Sequence, residues 1–335
     1  MGSTENTRSN LTVIICRVLG MFMIILCHIG TSIGNSAIGE IFQVGVQLFL
    51  FISGYLYGSK KIEDKKKWLW NRFLRISIPC YIFLLFLLCI LVSKNIDIHF
   101  ESVLLYLLNL QGYQHIVCFL PAANNLIGAA HLWFITIIML CYFLVIILNK
   151  NTFILRYKNL FLYSGLFIVF IMGFAGIRLD YFWIFFLGYI LSYNSWSFSR
   201  KGYMISTFLM VFAAALRLSV KRYCDIAGDN YFYLYIVIPF AYNIIALWIF
   251  ETVEMLNKIL DYKKVFQYRI IAKFFQHLDR ISFYVYITHY IFIDKPLNIV
   301  GAIQPAILNV LFGSLLLWSF GFALQKLSDL VISKL

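Results

Sequence analysis

Apolar runs of about 20 residues recur from end to end of this 335-residue chain, and each is long enough to cross the ~30 Å hydrocarbon core of a bilayer as a helix. Composition agrees with a chain built for lipid. It is 62% apolar and 13% charged, with a mean hydropathy of +0.83. Soluble domains carry roughly 45–50% apolar and about 25% charged residues. A soluble globular protein and a disordered chain are both excluded, the latter because it needs low hydrophobicity.

Ten membrane spans are predicted, over residues 11–29, 38–58, 74–93, 131–149, 158–176, 180–196, 203–220, 231–250, 279–295 and 305–325. The fold class is an all-α polytopic membrane protein, a single domain over residues 1–335. No linker, low-complexity tract or internal repeat interrupts it, no span is broken, and no separate soluble domain is expected. Leu11–Ile29 is too long for a signal-peptide core and lacks a small-x-small cleavage site. No CxxC pair occurs among the seven cysteines, and Cys16, Cys27, Cys80, Cys89 and Cys141, in or at the ends of apolar runs, read as small buried hydrophobes.

The net charge of +13 sits in short loops, so it points to the membrane surface and its lipids, not to nucleic acid. With the N-terminus inside, 21 of the 28 Lys and Arg residues fall in cytoplasmic stretches and 6 outside, with Arg17 within a span. That asymmetry predicts both termini in the cytoplasm. The basic group Arg217, Lys221 and Arg222 fits least well, because this arrangement puts it outside.

Polar residues inside the spans carry the chemical information. Arg17 lies in the first span, where an unpaired arginine costs at least ~2.5–3.5 kcal/mol, so it needs a partner or a water-filled cavity. His28 follows eleven residues later. Eleven steps of 100° return close to the same helix face, and they rise roughly 16 Å. Arg17 and His28 therefore share a stripe, one near each end of the span. The alternative is a snorkelling arginine and an interfacial histidine with no common task.

Arg72 and Arg75, three apart, point the same way, and two guanidinium forks on one face suit a phosphate or pyrophosphate. Anchoring at the cytoplasmic interface competes with that reading. Ser53-Gly54 near the end of the second span suits close helix packing. The outer segment 94–130 is rich in amides and aromatics, including Gln111, Tyr113, Gln114, His115, Asn124 and Asn125, a combination that suits sugars and also ordinary loops. It leads into His131 and Trp133. In the ninth span, Ser282, Tyr286 and His289 lie on one face. No carboxylate or thiolate partner accompanies His28, His131 and His289 in sequence, so no metal is expected.

Four places together resemble the membrane-bound acyltransferase-3 family of bacterial acyltransferases. Arg17-x10-His28 matches its Arg-x10-His pattern. Gly45-Val46-Gln47-Leu48-Phe49-Leu50-Phe51-Ile52-Ser53-Gly54-Tyr55 is similar to its Gly-Val-x-Leu-Phe-Phe-x-x-Ser-Gly-Phe stretch. Arg72-Phe73-Leu74-Arg75-Ile76-Ser77-Ile78-Pro79 matches its Arg-x-x-Arg-Ile-x-Pro segment. His131-Leu132-Trp133-Phe134 and the stretch Ser282–His289 resemble two later motifs. The departures are Gln47, where the family often has a small or apolar residue, and Ile78 at a variable position.

The resemblance covers essentially the whole chain. It implies transfer of an acyl group, usually acetyl, from cytoplasmic acyl-coenzyme A to a glycan or lipid-linked glycan hydroxyl. Such chemistry modifies capsule, exopolysaccharide or O-antigen from the bacterial cytoplasmic (inner or plasma) membrane, and this chain resembles the stand-alone type. The resemblance makes His28 catalytic and ties Arg17, Arg72 and Arg75 to the coenzyme A end. His28 serves either as base or as acyl relay, with His289 as a second catalytic candidate. Ser53, Tyr286 and His289 are oxyanion donors by position alone. Ser53 is also placed with the donor site, and His131, Trp133, Tyr286 and Ser282 with the acceptor. The competing class is a polytopic transporter or flippase of lipid-linked sugars, which would show broken helices or paired repeats.

Overall fold

The computed structural model describes residues 2–120, 126–149, 151–194, 196, 199–228, 230–262, 267–299 and 306–335, with only the backbone path at 2–10, 36, 260–262, 267–269, 271, 306–307, 309 and 310. Asn124 and Asn125 of the outer segment, and Lys150, Lys263 and Lys264 of the basic loops, lie outside the described residues. The described chain is helical, with no named strand.

Its helices are α1 (Gly2–Ser32), α2 (Ser36–Phe42), α3 (Gly45–Gly58), α4 (Lys65–Ser93), α5 (Phe100–Leu107), α6 (Trp133–Leu148) and α7 (Thr152–Arg156). The order continues with α8 (Lys158–Phe174), α9 (Asp180–Tyr193), α10 (Arg200–Ala227), α11 (Ile238–Tyr262), α12 (Gln267–Thr288), α13 (Tyr290–Ile293) and α14 (Ala306–Ile332).

Seven helical stretches among the described residues are long and apolar enough to cross a membrane: Leu11–Ser32, Ala37–Gly58, Lys65–Ser93, Ala130–Leu148, Arg200–Ala227, Tyr233–Ile259 and Leu311–Ile332. Three predicted spans meet the criterion less fully. Helix α8 has 17 residues, and α9 has 14, a length of about 21 Å. The ninth falls on α12, whose mixed composition is that of an amphipathic helix, and ends in the single turn α13.

Helix bounds extend past several predicted spans, and at α4 the reason is local. Helix α4 begins at Lys65, nine residues before the predicted span, because the Asp64 side chain accepts a hydrogen bond from the Lys67 N–H at 2.9 Å and caps it. The basic run that looked like a loop is therefore helical. The prediction of unbroken helices is also corrected. Residues 43–44 turn between α2 and α3, a π-turn spans Tyr233–Val237, and His289 separates α12 from α13. Gly45 follows the first and Pro239, which lacks a donor N–H, follows the second within two residues, while no proline or glycine accompanies the third.

Helix α1 is central, packing on α2, α3, α11, α12 and α13. Helices α3 and α9 make the closest pair. A Cβ on Gly54 would lie 1.9 Å from the Phe185 carbonyl oxygen, and one on Gly188 would lie 2.1 Å from that of Phe51. Backbones that approach so closely have no room for any other residue, so the packing role of Ser53-Gly54 is real. The core is filled by Leu48, Phe51, Leu87, Phe185 and Phe292, all fully buried.

Two of the three residues in the misfit basic group have a carboxylate partner. Glu40 of α2 accepts from Arg217 at 2.8 Å and from Lys221, and Tyr233 donates to it at 3.2 Å. Arg217 is 7% exposed and its guanidinium also lies 5.1 Å over the Tyr242 ring. The π-turn brings Tyr233 into this network. All seven cysteines are free; four are buried, Cys27 and Cys118 are half-buried and Cys89 is exposed, against the expectation that Cys89 is a buried hydrophobe.

Candidate active site

Helices α1 and α12 run parallel and meet at both ends of their polar stripes. At one end Arg17 donates to Asp279 at 2.8 Å. At the other, the rings of His28 and His289 lie 5.1 Å apart. The two stripes have matching length, eleven residues on α1 and ten on α12, roughly 16 and 15 Å. Asp279 is the partner that Arg17 requires, and sequence reasoning passed over it. It was legible, because Asp279, Ser282, Tyr286 and His289 have the 3, 7 and 10 spacing of one helix face.

The histidines form one cluster. His131 precedes α6 and sits 4.7 Å from the His289 ring, and Tyr290 packs against His28 at 4.9 Å and His131 at 5.1 Å. Backbone carbonyls fix the imidazole tautomers. His131 Nε2 lies 3.0 Å from the Ile287 carbonyl and His289 Nδ1 lies 2.6 Å from that of Tyr286. Carbonyls only accept, so those nitrogens carry the protons. The opposite nitrogens, His131 Nδ1 and His289 Nε2, are buried and unpartnered. Among the described residues, no group of three or more His, Cys, Asp or Glu is arranged to hold a metal ion.

His28, His131, Trp133 and Tyr286 line a partly open cavity of about 90 Å³. Cys27, Gln43, Gln47, Arg178 and Tyr242 also line it, and none of these was singled out from sequence as a site residue. Arg178 is held by Asp180 at 2.7 and 3.0 Å and lies 4.6 Å over Tyr181. His289 stands behind His28 and does not line the cavity itself.

Two predicted oxyanion or acceptor groups are spent elsewhere. The Tyr286 hydroxyl donates to the His131 carbonyl at 2.5 Å, and the Ser282 hydroxyl donates to the Asp279 carbonyl at 2.8 Å. The first braces the backbone of His131, a cavity residue, and the second that of Asp279, the partner of Arg17. The outer segment divides similarly. The Gln111 amide donates to the Leu132 carbonyl at 2.8 Å and faces inward, while His115 stacks on Trp133 at 4.4 Å.

At the opposite end, Arg17, Arg72 and Arg75 all lie close enough to Tyr57 to interact with it electrostatically, and Arg17 and Arg72 do so with Lys60. Arg72 stacks over Tyr57 and Trp68 at 5.5 and 5.7 Å, and its Nε is buried without a partner. Arg75 is exposed. Ser53 lies one helical turn before Tyr57 on α3. The fold thus places an arginine cluster and a histidine cluster at opposite ends of one helix pair.

A family model described as an acyltransferase domain, of the acyltransferase-3 family, matches residues 10–326. No curated protein and no solved structure matches the chain at a significant level.

Proposed function

Because the chain belongs to the acyltransferase-3 family, and is a multi-pass membrane acyltransferase, we propose that it moves an acyl group, acetyl foremost, from cytoplasmic acyl-coenzyme A to a hydroxyl of an exported or surface glycan. The observation that carries this reading is the separation of the two clusters along α1 and α12. Guanidinium groups around Tyr57 offer the fork geometry that phosphates take. Imidazoles around the cavity offer a base.

His28 takes the proton of the acceptor hydroxyl, whose oxygen attacks the thioester carbonyl carbon. The C–S bond breaks, and the imidazolium returns the proton to the leaving thiolate. The alternative order, with the acyl group passing first to His28, gives the same products. His289 and His131 hold their protons on backbone carbonyls and support His28 as neutral rings. Coenzyme A stays on the cytoplasmic side, since its charges should not enter the bilayer core. Its extended arm, on the order of 15–20 Å, is comparable with the roughly 16 Å rise from Arg17 to His28. Ten spans with both termini in the cytoplasm, in a bacterial cytoplasmic membrane, complete the arrangement.

Interrupted helices would also suit a transporter of lipid-linked sugars, but the family match favours the enzyme. Thioester chemistry decides between them. The purified protein should release coenzyme A from acetyl-coenzyme A, and His28→Ala should abolish release while leaving the protein inserted and abundant. No release by the wild-type protein would reject the acyl-transfer reading.

A further inference from the structure

Gln47 stands in the wall of the cavity that His28 lines, 3% exposed, and its Oε1 has no hydrogen-bond partner. A buried amide oxygen left unpaired bears the full cost of losing its water. Its position is fixed by close backbone packing two residues earlier. A Cβ on Gly45 would lie 2.7 Å from the Gly20 carbonyl oxygen, so the start of α3, two residues before Gln47, is pressed against α1 about two turns from His28. One turn toward the mouth, Gln43 is exposed and accepts from Tyr242 at 3.4 Å.

The unsatisfied groups around the cavity have one character. Gln47 Oε1 and His131 Nδ1 are the buried unpartnered atoms of its described lining, and His289 Nε2 lies just behind. With the imidazole protons placed on carbonyls, all three are acceptors. The occupant that satisfies them brings several O–H donors, not one.

We propose that Gln47 is a specificity-determining residue, whose Oε1 accepts a hydrogen bond from a second hydroxyl of the acceptor, adjacent to the one that His28 deprotonates. This rests on the acyl-transfer reading and sharpens it, because the cavity then selects a vicinal diol over a lone alcohol. Gln47 exchanges no atom in the reaction. It orients the acceptor so that one oxygen faces the thioester carbon. A site built to bond a hydroxyl rejects an analogue that lacks it, because its own polar group is then left unpaired.

The test uses the full-length protein in lipid nanodiscs with acetyl-coenzyme A, and cis-1,2-cyclohexanediol and cyclohexanol as acceptor probes. The wild-type protein should prefer the diol in kcat/KM by about tenfold or more. Gln47→Leu should narrow that preference about tenfold, chiefly through KM for the diol, and Gln47→Met should do the same if the leucine variant folds poorly. Gln47→Glu keeps an acceptor oxygen and should keep the preference. An unchanged ratio in the leucine or methionine variant would overturn the proposal. So would equal use of the two probes by the wild-type protein, or coenzyme A release without transfer to the diol. These last outcomes leave the acyl-transfer reading standing, whereas no coenzyme A release at all would overturn both.

Discussion

Arg72 and Arg75 lie one turn apart on α4 but meet different surroundings. Arg72 is stacked between Tyr57 and Trp68, so part of its value is packing. Arg75 is exposed. Lysine keeps the charge of either residue and loses the planar fork. Arg75→Lys should therefore raise KM for acetyl-coenzyme A about tenfold with thermal stability unchanged, as steady-state kinetics and a melting curve would read. Full replacement by lysine would make Arg75 only an interfacial anchor. The same contrast holds for the hydroxyls. Tyr286 and Ser282 were placed with the substrate on spacing alone, yet their hydroxyls bond the carbonyls of His131 and Asp279 and brace the histidine and arginine ends instead. Spacing identifies a face; it does not say which neighbour the hydroxyl finds.

Two contacts between elements set the shape of the cavity. The first is α3 against α9, where Gly188 meets the Phe51 carbonyl. Gly188→Ala forces the backbones apart and should cost about 1–3 kcal/mol or more, seen as a lower melting temperature. A fully stable variant would show that the helices slide apart freely. The second contact seats the outer segment, where His115 stacks on Trp133. Burial, and next the nearby Arg178, push the His115 imidazole down from 6.5 to about 4. Between those values the unfolded segment binds the proton and the folded one does not. Docking of this segment should therefore be strongest above pH 6.5 and weaken as pH falls toward 4. Amide exchange across residues 100–118 would report the loss, and His115→Phe should flatten the pH dependence while keeping the stack.

At the scale of the whole molecule, the parallel course of α1 and α12 has a topological consequence. Two helices that meet at both Arg17–Asp279 and His28–His289 run in the same direction, as the first and ninth of the ten proposed spans must. An odd-numbered first and ninth span meet that condition. Reporter fusions after Lys67 should score cytoplasmic and one near Tyr113 external. An external score at Lys67 would reverse the orientation and remove the cytoplasmic donor site with it. Glu40 pairs with Arg217 and Lys221, which offsets the cost of their partial burial, and the orientation of this basic group is read by the same fusions.

The sequence by itself determined the solvent, the helical class and the stripe on α1, because all three follow from local hydrophobicity and from a period of 100° per residue. It also carried the order of motifs that leads to the family. Tertiary structure alone decided which stripes face each other. Arg17 found Asp279, and His28 found His289, across some 260 residues of chain that no periodicity links. It also decided which side chains meet beside the interrupted helices, because Glu40, Tyr233 and Tyr242 make hydrogen bonds that no local pattern announces. The cavity with its unpaired acceptors belongs to the same class of fact. Whether a buried oxygen is satisfied depends on every helix around it, and so it is a property of the packed bundle and of no single segment.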